Sequence, residues 1–325
     1  VPREFWVEVV ERVAEEAPGT LLLAEAFWMM EGYFVKSLGM HRVYHSAFMH
    51  MLRDENNGGY KELMKQTLVT NPAIMQRFVN FMNNPDEETA AAQFGTGDKY
   101  FGIATLMATL PGLPLFGHGQ FEGYREKYGM EFKRAYGGEA IDDGLLEHHL
   151  RVITPLLNAR HRFAGVRDFR LFDWHQAHGS VDENVFAYTN RSPIDGRASF
   201  VIYNNAYETT AGTIHWSAPV PQGERGLEAE DLLSALGCPE DRFCALYSPY
   251  GDAWLVSEQT TVADHGLRLE LQGYEVQFFD RIEPLSALSP AWHDLLAEQG
   301  SVWLTSEEFH QLRSPLEVHG YKACV

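Results

Sequence analysis

The chain has 325 residues, with 26 lysines and arginines against 45 aspartates and glutamates, which gives a formal net charge of -19. Such a negative chain repels nucleic acid and anionic membrane surfaces, and it accepts a neutral or cationic small molecule more easily. The content of 45% hydrophobic and 22% charged residues is that of an ordinary soluble globular protein. A chain of this length allows about two domains.

The hydropathy pattern, the cysteines and the histidines exclude further classes. The sequence has no apolar run long enough to cross a membrane and no export leader, so we expect no membrane partner and a cytoplasmic location. Cys238, Cys244 and Cys324 do not form a disulfide framework, and free thiols are preferred over a bridge between the first two. His41 and His45 share no carboxylate that would complete a metal-binding pattern, so we expect no metal site and no cofactor.

Leu21 to Trp28, LLLAEAFW, is an apolar run with one acid, Glu25, near its C-terminal end. Such a run is typical of a strand that is buried on both faces of a parallel sheet. The preceding FWVEVVERVAEE has the apolar spacing of one helical face and stops at Pro18-Gly19, so a helix is predicted to lead into this strand. Because α/β folds carry working residues at the C-terminal ends of strands, Glu25 is a candidate catalytic residue. The alternative is a salt-bridged core acid.

Helices and strands alternate through residues 1–120, which predicts a parallel sheet with helices between its strands. The predicted strands lie in residues 21–28, 41–52, 76–84 and 111–119. Pro85 ends the third strand, because proline cannot donate to a ladder and biases Asn84 toward extended geometry. Residues 123–144 form a polar loop that is long enough to be functional, and an amphipathic helix is predicted over 145–163.

The composition changes after Gly165. Short runs rich in β-branched and aromatic residues, separated by glycine, proline and asparagine, predict an all-β domain. Two short helical segments follow Pro284 and predict a packed tail. We therefore predict an α/β domain over residues 1–165, an antiparallel all-β domain over 166–285 and a short helical tail over 286–325.

Two acids, Glu25 and Asp86, end strand-like runs, and Asn83 and Asn84 lie beside the second acid. A pair of carboxylates at neighbouring strand ends is typical of glycoside hydrolysis, in which one protonates the leaving oxygen and the other acts on the sugar carbon or its positive charge. Aromatic side chains on which a sugar ring could stack surround these acids in the sequence, although core and rim packing is the expected role of most of them. They are Trp28, Tyr33, Tyr44, Phe81, Phe116, Phe121 and Tyr124.

The runs LLLAEAFW, FVNFMNNPDE and PGLPLFGHGQFEG, in this order, resemble three strand motifs of one enzyme family. These are the fifth, seventh and eighth strands of the α-amylase family of (β/α)8-barrel enzymes, glycoside hydrolase family 13. The resemblance covers residues 2–165, and the β-rich segment behind it is similar to the family's C-terminal β-sandwich domain. It implies an α/β fold: a partial TIM-type barrel, strands five to eight with their helices, followed by an all-β sandwich.

The resemblance also implies roles for individual residues. Glu25 matches the general acid/base, and Asp86 matches the acid that holds the sugar hydroxyls and stabilises the oxocarbenium-like transition state. The implied partner is an α-glucan or oligosaccharide substrate. The substrate-binding positions predicted around the two acids are Trp28, Asn84, His118, Gln120 and Tyr124.

The chain departs from the family's pattern at three points. Pro85 stands where the family has a histidine before the transition-state aspartate. Gln120 stands where the family has an acid after the glycine, and Glu122 comes later. The family's nucleophile is an aspartate two residues after an arginine, and no aspartate of this chain has an arginine at that distance. We therefore expect a half-barrel that is inactive alone and is covered by the missing N-terminal half of the barrel or by a second copy.

Two functions remain open from the sequence. The first is a retaining glycoside hydrolase or transglycosidase that acts on α-glucans and is present as a fragment. The alternative is a non-catalytic carbohydrate-binding or assembly protein that keeps the amylase-derived scaffold. Gly117-His118-Gly119 lacks the spacing of a dinucleotide-binding fingerprint, and the sequence contains neither a nucleophile elbow nor a phosphate-binding glycine loop.

Overall fold

A computed structural model describes residues 3–26, 30–127, 134–288 and 290–312. Trp28, one of the predicted substrate-binding residues, lies outside the described residues, as does Cys324. The chain divides into two compact units, Val1–Arg167 and Asp168–Val325. Among the described helices, none has both the length and the apolar composition that a membrane crossing requires.

The first unit consists of short strands separated by helices, as the alternating pattern predicts. Its helices are α1 (Phe5–Glu16), α2 (Glu31–Lys36), α3 (Ser46–Arg53), α4 (Asn57–Thr70), α5 (Ala90–Phe94), α6 (Asp98–Thr109), α7 (Asp143–His148) and α8 (Thr154–Asn158), with 3₁₀ turns at Pro72–Arg77 and Arg160–Arg162 and a π-helical turn at His149–Ile153. Its strands are β1 (Leu23–Ala24), β2 (Arg42–Tyr44), β3 (Phe78–Phe81) and β4 (Leu113–Leu115). The amphipathic helix predicted over 145–163 is therefore divided into several turns of different pitch.

The four strands form one parallel sheet in the order β1-β2-β3-β4. Ala24 pairs with Val43, and Phe81 at the end of β3 pairs with Leu115 at the end of β4. Parallel strands place their C-terminal ends at one edge of a sheet, and in open α/β sheets ligands bind at that edge. Glu25 directly follows β1 and therefore lies at this edge.

β1 is less buried than its apolar sequence predicts. Leu21 and Leu23 are 55% and 38% exposed, whereas Ala24 and Ala26 are buried. The prediction of a strand buried on both faces is therefore wrong for this segment. The physical reason is the strand order, because β1 is the first strand of the sheet and has one neighbour, β2, among the described strands.

α6 is buried over most of its length, from Tyr100 to Thr109. Its side chains therefore meet protein on all sides rather than along one stripe. Arg160 satisfies carbonyl groups at and beyond the end of this helix: its guanidinium donates to the carbonyl oxygens of Ala108 at 2.9 Å and of Leu110 and Gly112 at 2.6 Å each. A cation at a helix C-terminus also complements the helix dipole.

The second unit is mainly antiparallel β-structure. Its strands are β5 (Arg170–Phe172), β6 (Val185–Arg191), β7 (Ala198–Asn204), β8 (Thr210–Ile214), β9 (Val220–Pro221), β10 (Leu227–Glu228), β11 (Phe243–Ser248), β12 (Ala253–Glu258), β13 (Leu267–Leu271), β14 (Val276–Phe279), β15 (Arg281–Leu285) and β16 (Ser301–Thr305). Its helices are α9 (Leu232–Leu236), α10 (Gln259–His265), α11 (Pro290–Gln299) and α12 (Ser306–Leu312), with a 3₁₀ turn at Gly223–Arg225.

The two larger sheets of this unit have the strand orders β14-β7-β6-β5 and β15-β11-β12-β16, while β8 pairs with β13 and β9 with β10. β7 is buried along its whole length and β6 along all but its last residue. A core cluster that includes Trp174, Phe200 and Leu255 joins strands of both larger sheets. The mixed α/β class is thus observed, while the partial barrel and the sandwich stay predictions.

The C-terminal segment combines helix and strand. α11 and α12 correspond to the two predicted helical segments, but β16 lies between them and pairs with β12, with Val302 opposite Val256. The sequence pattern does not predict this strand. Phe309 of α12 stacks on Trp254 of β12 with ring centroids 3.9 Å apart. The described part of the predicted tail therefore adds a strand to a sheet of the second unit.

Candidate active site

Glu25 directly follows β1, and its side chain is exposed. Its two neighbours in sequence, Ala24 and Ala26, are buried. An extended chain turns successive side chains to opposite faces, so burying the two alanines turns the carboxylate of Glu25 toward solvent. This exposure argues against the salt-bridged core acid, and it leaves the carboxyl group accessible to a ligand.

Tyr44, the last residue of β2, is influenced by the charges of both predicted catalytic acids. Burial raises the pKa of this half-buried tyrosine above its ordinary value, and the negative charges of Glu25 and Asp86 raise it further. A Coulomb effect from both acids requires that both carboxylates lie near the Tyr44 hydroxyl. The structure therefore brings Glu25 and Asp86 to the surroundings of one side chain, from the end of β1 and from the loop after β3.

Asn84 shapes the loop that carries Asp86. The Oδ1 atom of Asn84 accepts hydrogen bonds from the backbone N–H groups of Asp86 and Glu87, both at 3.0 Å. Asn84 is buried, whereas Asp86 is exposed. Because its Oδ1 atom is engaged in this turn, Asn84 is placed to position Asp86 rather than to offer that oxygen to a sugar.

The loop after β4 carries His118 and Tyr124 side by side. Gly119 between them has a φ of 71°, and a Cβ at this position would lie 2.6 Å from the Tyr124 ring, so the turn requires glycine. The ring centroids of His118 and Tyr124 are 6.2 Å apart, and His118 is exposed. A cavity of about 170 Å³ opens beside them. Its lining residues are His118, Tyr124, Glu126, Ala135, Gly137, Gly138 and Glu139.

Gln120 is placed differently from its neighbours in this loop, because it is only 2% exposed. Its Oε1 atom accepts a hydrogen bond from the N–H of Gly117 at 3.0 Å, and its Nε2 atom donates to the sulfur of Met82 at 3.3 Å. Both ends of the amide are thus engaged within the protein. This arrangement favours a supporting role in the loop for Gln120.

The loops after β3 and β4 touch each other at further points besides the bond from Gln120 to Met82. A Cβ on Gly117 would lie 2.3 Å from the Nδ2 atom of Asn83, so the glycine packs directly against this buried amide. Further along the chain, the Nζ atom of Lys127 donates to the carbonyl oxygen of Asp86 at 2.7 Å. The rim that carries His118 and Tyr124 therefore adjoins the loop of Asp86.

A buried tyrosine and a buried histidine pack against the loop after β4. The hydroxyl of Tyr100 donates to the carbonyl oxygen of Gln120 at 3.0 Å and lies 2.7 Å from the Nε2 atom of His149. Burial, followed by the charge of His148, lowers the pKa of His149 to about 4. His149 is therefore neutral near pH 7. The ring of His149 also packs on Phe121, with centroids 4.4 Å apart.

Sequence reasoning missed the roles of Tyr44 and His149. Tyr44 was counted only among possible stacking aromatics, although it closes β2 in the way that Glu25 closes β1, and this position was a usable signal. His149 lies within the amphipathic helix predicted over 145–163, for which no site role is predicted. No local signal indicates its bond to Tyr100, because the two residues are far apart in sequence.

Within residues 3–26, 30–127, 134–288 and 290–312, no group of three or more histidine, cysteine or acidic side chains is arranged to hold a metal ion. Cys238 and Cys244 are both free cysteines, the first half-buried and the second buried.

The sequence of this chain was compared with those of known proteins. No known protein-family profile matches the chain. A relative in sequence is the α-1,4-glucan:maltose-1-phosphate maltosyltransferase of Corynebacterium pseudotuberculosis (strain 1002), which is 27% identical over 219 residues. The match covers 62% of this chain and 30% of the relative. The chain thus corresponds to less than a third of that protein's length.

Solved structures share the fold over most of this chain at low sequence identity. An Anoxybacillus α-amylase has a TM-score of 0.55 at 13% identity, and the match covers 89% of this chain and 57% of that one. The Geobacillus thermoleovorans α-amylase, solved with acarbose, has a TM-score of 0.57 at 13% identity, with 87% and 57% covered. The debranching enzyme of Nostoc punctiforme has a TM-score of 0.59 at 13% identity, with 85% and 55% covered.

These matches confirm the predicted resemblance to the α-amylase family. The chain has the fold of α-amylases and related enzymes, and it spans somewhat more than half the length of the solved structures it matches.

Proposed function

We propose that this chain carries part of the active site of a retaining glycoside hydrolase or transglycosidase that acts on α-glucans. The observation that supports this most directly is that the charges of both Glu25 and Asp86 raise the pKa of Tyr44, as expected when both carboxylates lie within electrostatic range of one side chain. The shared fold with α-amylases supports the general class. The name of the sequence relative adds maltosyl transfer from maltose 1-phosphate to the reactions worth assaying.

In this proposal the two acids have different roles. Glu25, exposed at the end of β1, protonates the glycosidic oxygen of the leaving group and then removes a proton from water or from an acceptor hydroxyl. Asp86 accepts hydrogen bonds from sugar hydroxyls and stabilises positive charge on the sugar in the transition state. Tyr44 is neutral near pH 7, as an ordinary tyrosine is, and its raised pKa keeps the hydroxyl protonated as a hydrogen-bond donor to higher pH.

Other predicted residues complete the substrate site in this proposal. His118 and Tyr124 contact sugar units at the rim, and Trp28 is proposed as a further stacking residue from sequence alone. Asn84 and Gln120 act through the loops that they hold, since their amide groups are bonded within the protein. The cytoplasmic location stays a prediction from the sequence.

The nucleophile comes from outside these 325 residues in this proposal. A retaining mechanism needs a carboxylate about 5 Å from the general acid, which forms the covalent glycosyl-enzyme. No aspartate in the sequence has an arginine two positions before it, as the family's nucleophile has. We therefore propose that the isolated chain does not turn over α-glucans, and that additional barrel strands or a second copy cover Leu21 and Leu23.

The activity test compares two proteins that contain this chain. The first is the 325-residue chain alone, and the second is a longer polypeptide from the same gene that includes an Arg-x-Asp strand. We expect turnover of maltodextrins, aryl α-glucosides or maltose 1-phosphate only in the longer protein. Glu25→Gln should lower its kcat by about 10²- to 10⁴-fold, because the general acid is lost. Glu15→Gln is the matched control, since Glu15 is an exposed acid on α1.

Two results would contradict the proposal in different ways. Turnover by the isolated chain that disappears in Glu25→Gln would show that a nucleophile is present in these residues. A longer protein that binds maltodextrin but turns over none of the three substrates would favour the alternative, a non-catalytic carbohydrate-binding or assembly protein on the same scaffold.

A binding test examines Asp86 without requiring turnover. Asp86→Asn in the isolated chain should weaken the binding of a short maltooligosaccharide by about tenfold, because hydrogen bonds to a charged acceptor contribute about 1.5–3 kcal/mol. Titration calorimetry measures this change, with Glu15→Gln again as the control. Equal affinity of the Asp86→Asn and unsubstituted chains would remove Asp86 from the site.

A further inference from the structure

Two tyrosines lie together on neighbouring loops of the second unit. Tyr207 belongs to the loop 205–209 between β7 and β8, and Tyr274 belongs to the turn 272–275 between β13 and β14. The two loops lie side by side because β7 pairs with β14 and β8 pairs with β13. The ring centroids are 6.4 Å apart, and the ring planes make an angle of 62°. Tyr207 is 79% exposed, so an aromatic ring stands in water beside a second, half-buried ring.

The exposure of Tyr207 does not come from a loose loop. The N–H of Tyr274 donates to the carbonyl oxygen of Ala206 at 2.9 Å. A Cβ on Gly273 would lie 2.0 Å from the carbonyl oxygen of Tyr207, so the two backbones are in direct contact. The buried Asn204 joins the same loops, since its Nδ2 atom donates to the carbonyl oxygens of Glu208 at 2.7 Å and Gln272 at 3.0 Å.

The backbone at Tyr274 is itself unusual. Its φ is 56°, in the left-handed region that non-glycine residues rarely adopt and that is uncommon for a bulky side chain. Such outliers persist only where the surrounding structure holds them, and they concentrate at ligand-binding and functional sites. The chain thus holds Tyr274 in a strained backbone conformation within a fixed turn and presents its ring next to Tyr207.

The polar groups around the two rings suit a neutral ligand with many hydroxyls. The hydroxyl of Thr209 donates to the Oε1 atom of Gln272 at 3.1 Å, and the carboxylate of Glu275 accepts from the N–H of Gln272 at 2.7 Å. Glu208 is an exposed carboxylate in the same loop. Neither loop contains a lysine or an arginine, so these two loops supply no cation for a phosphate or a carboxylate. Aromatic faces for the apolar side of a sugar ring and acceptors for its hydroxyls are the combination that remains.

We propose that Tyr207 and Tyr274 form a binding site for a neutral oligosaccharide or glucan chain on the second unit. No residue of the candidate active site takes part in it. A protein partner is a poorer match, because stable protein interfaces bury about 800 Å² on each side with an apolar centre, and here the tyrosines are flanked by Glu208, Thr209 and Gln272.

The test uses the full 325-residue chain and glycogen as the probe. Retardation in a native gel that contains glycogen measures binding, and Tyr207→Ala should weaken the retardation about five- to tenfold in apparent affinity. Tyr274→Asn should have a similar effect. Asparagine tolerates the left-handed backbone, so this variant removes the ring without adding strain. Ile194→Ala is the matched control, because Ile194 is a 75% exposed apolar residue of the same unit.

Three results would overturn the proposal. The first is an unsubstituted chain that glycogen does not retard. The second is retardation that both tyrosine variants keep, with circular dichroism showing that each is folded, while Glu25→Gln or Asp86→Asn lowers it; binding would then belong to the candidate active site. The third is unchanged retardation in Tyr207→Ala together with loss of self-association in sedimentation, which would make the tyrosines a protein interface.

Discussion

The two units of this chain differ in how completely their strands are covered. In the second unit β6 and β7 are seven residues long, and buried residues follow one another along them. In the first unit β1 to β4 contain between two and four residues each. β1 leaves Leu23 exposed, and all three residues of β4 are only half-buried.

The buried strands of the second unit contribute mainly to stability, whereas the exposed acids proposed for the chemistry lie beside the shorter strands of the first unit. Fully covered strands gain the free energy of apolar burial, whereas an ionised carboxylate cannot be buried without a large desolvation cost. Glu25 and Asp86 are exposed beside short strands of the first unit, where a ligand can reach them. We therefore expect core substitutions in the second unit to lower the free energy of unfolding strongly. Substitutions near Glu25 and Asp86 should mainly change where these carboxylates lie, and so change sugar binding.

The largest effect is expected from Phe200→Ala in β7. Phe200 is fully buried and stacks on Phe279 with ring centroids 5.8 Å apart. Removing this ring leaves a cavity in the core and should lower the free energy of unfolding by about 3–5 kcal/mol. Denaturant unfolding followed by circular dichroism measures it. Ile194→Ala should change it by less than about 0.5 kcal/mol, and a comparable loss in both variants would contradict the comparison.

A pH-dependent effect is expected from His45 in the first unit. This residue is buried after β2 and stacks on Phe78 with centroids 3.9 Å apart. Burial lowers the pKa of His45 to about 4, although its hydrogen bond with Asn80 acts in the opposite direction. Between the ordinary histidine pKa of about 6.5 and pH 4 the unfolded chain therefore binds a proton that the folded chain does not.

The sign of the His45 effect follows from this proton balance. The free energy of unfolding should fall as the pH falls from about 6.5 to 4, by up to about 3 kcal/mol from this residue. Denaturant unfolding at several pH values measures the slope, which His45→Gln should reduce because glutamine does not titrate, while the contribution of the other buried histidine, His149, remains. His161→Gln replaces an exposed histidine and should leave the slope unchanged. A slope identical in the unsubstituted chain and His45→Gln would disprove the assignment.

The smallest stability effect is expected from Asn84→Ala. The substitution removes the acceptor of two backbone hydrogen bonds and should cost about 1–2 kcal/mol. The substitution should weaken sugar binding more than it lowers stability, because the loop that positions Asp86 loses both hydrogen bonds to the Asn84 side chain. Asn84→Asp keeps an acceptor oxygen and should preserve most of the stability. Calorimetric binding that is unaffected in a destabilised Asn84→Ala chain would show that this loop does not take part in the site.

The alternation of strands and helices in the first unit was predictable because it depends on local patterns. Apolar runs indicated β1 to β4, and Glu25 and Asp86 are the acids at or directly after the C-terminal ends of two of these runs. The roles of Glu25 and Asp86 stay predictions. The exposure of Leu21 and Leu23 could not be predicted in the same way. An apolar pattern shows which side chains favour burial, but it does not show whether a neighbouring strand is present to cover them.

Polar residues were harder to assign than acids. Asn84 and Gln120 were predicted to bind substrate, and the structure shows their amides engaged in loop hydrogen bonds. An amide serves as a loop anchor or a ligand contact with the same atoms, so sequence alone does not separate the two uses. β16 was missed for a related reason: its run SVWLT is short and lies between two helices, and its pairing with β12 is a long-range contact.

Because Gly117 packs closely against Asn83, each of these two positions limits which residues the other can accept. Any side chain at position 117 would overlap the Asn83 amide, so a substitution at either position changes what the other can tolerate. Among relatives that keep both loops, we expect a residue larger than glycine at 117 only where position 83 holds a smaller residue. The pair should therefore vary together in an alignment, although the two residues lie on loops that follow different strands.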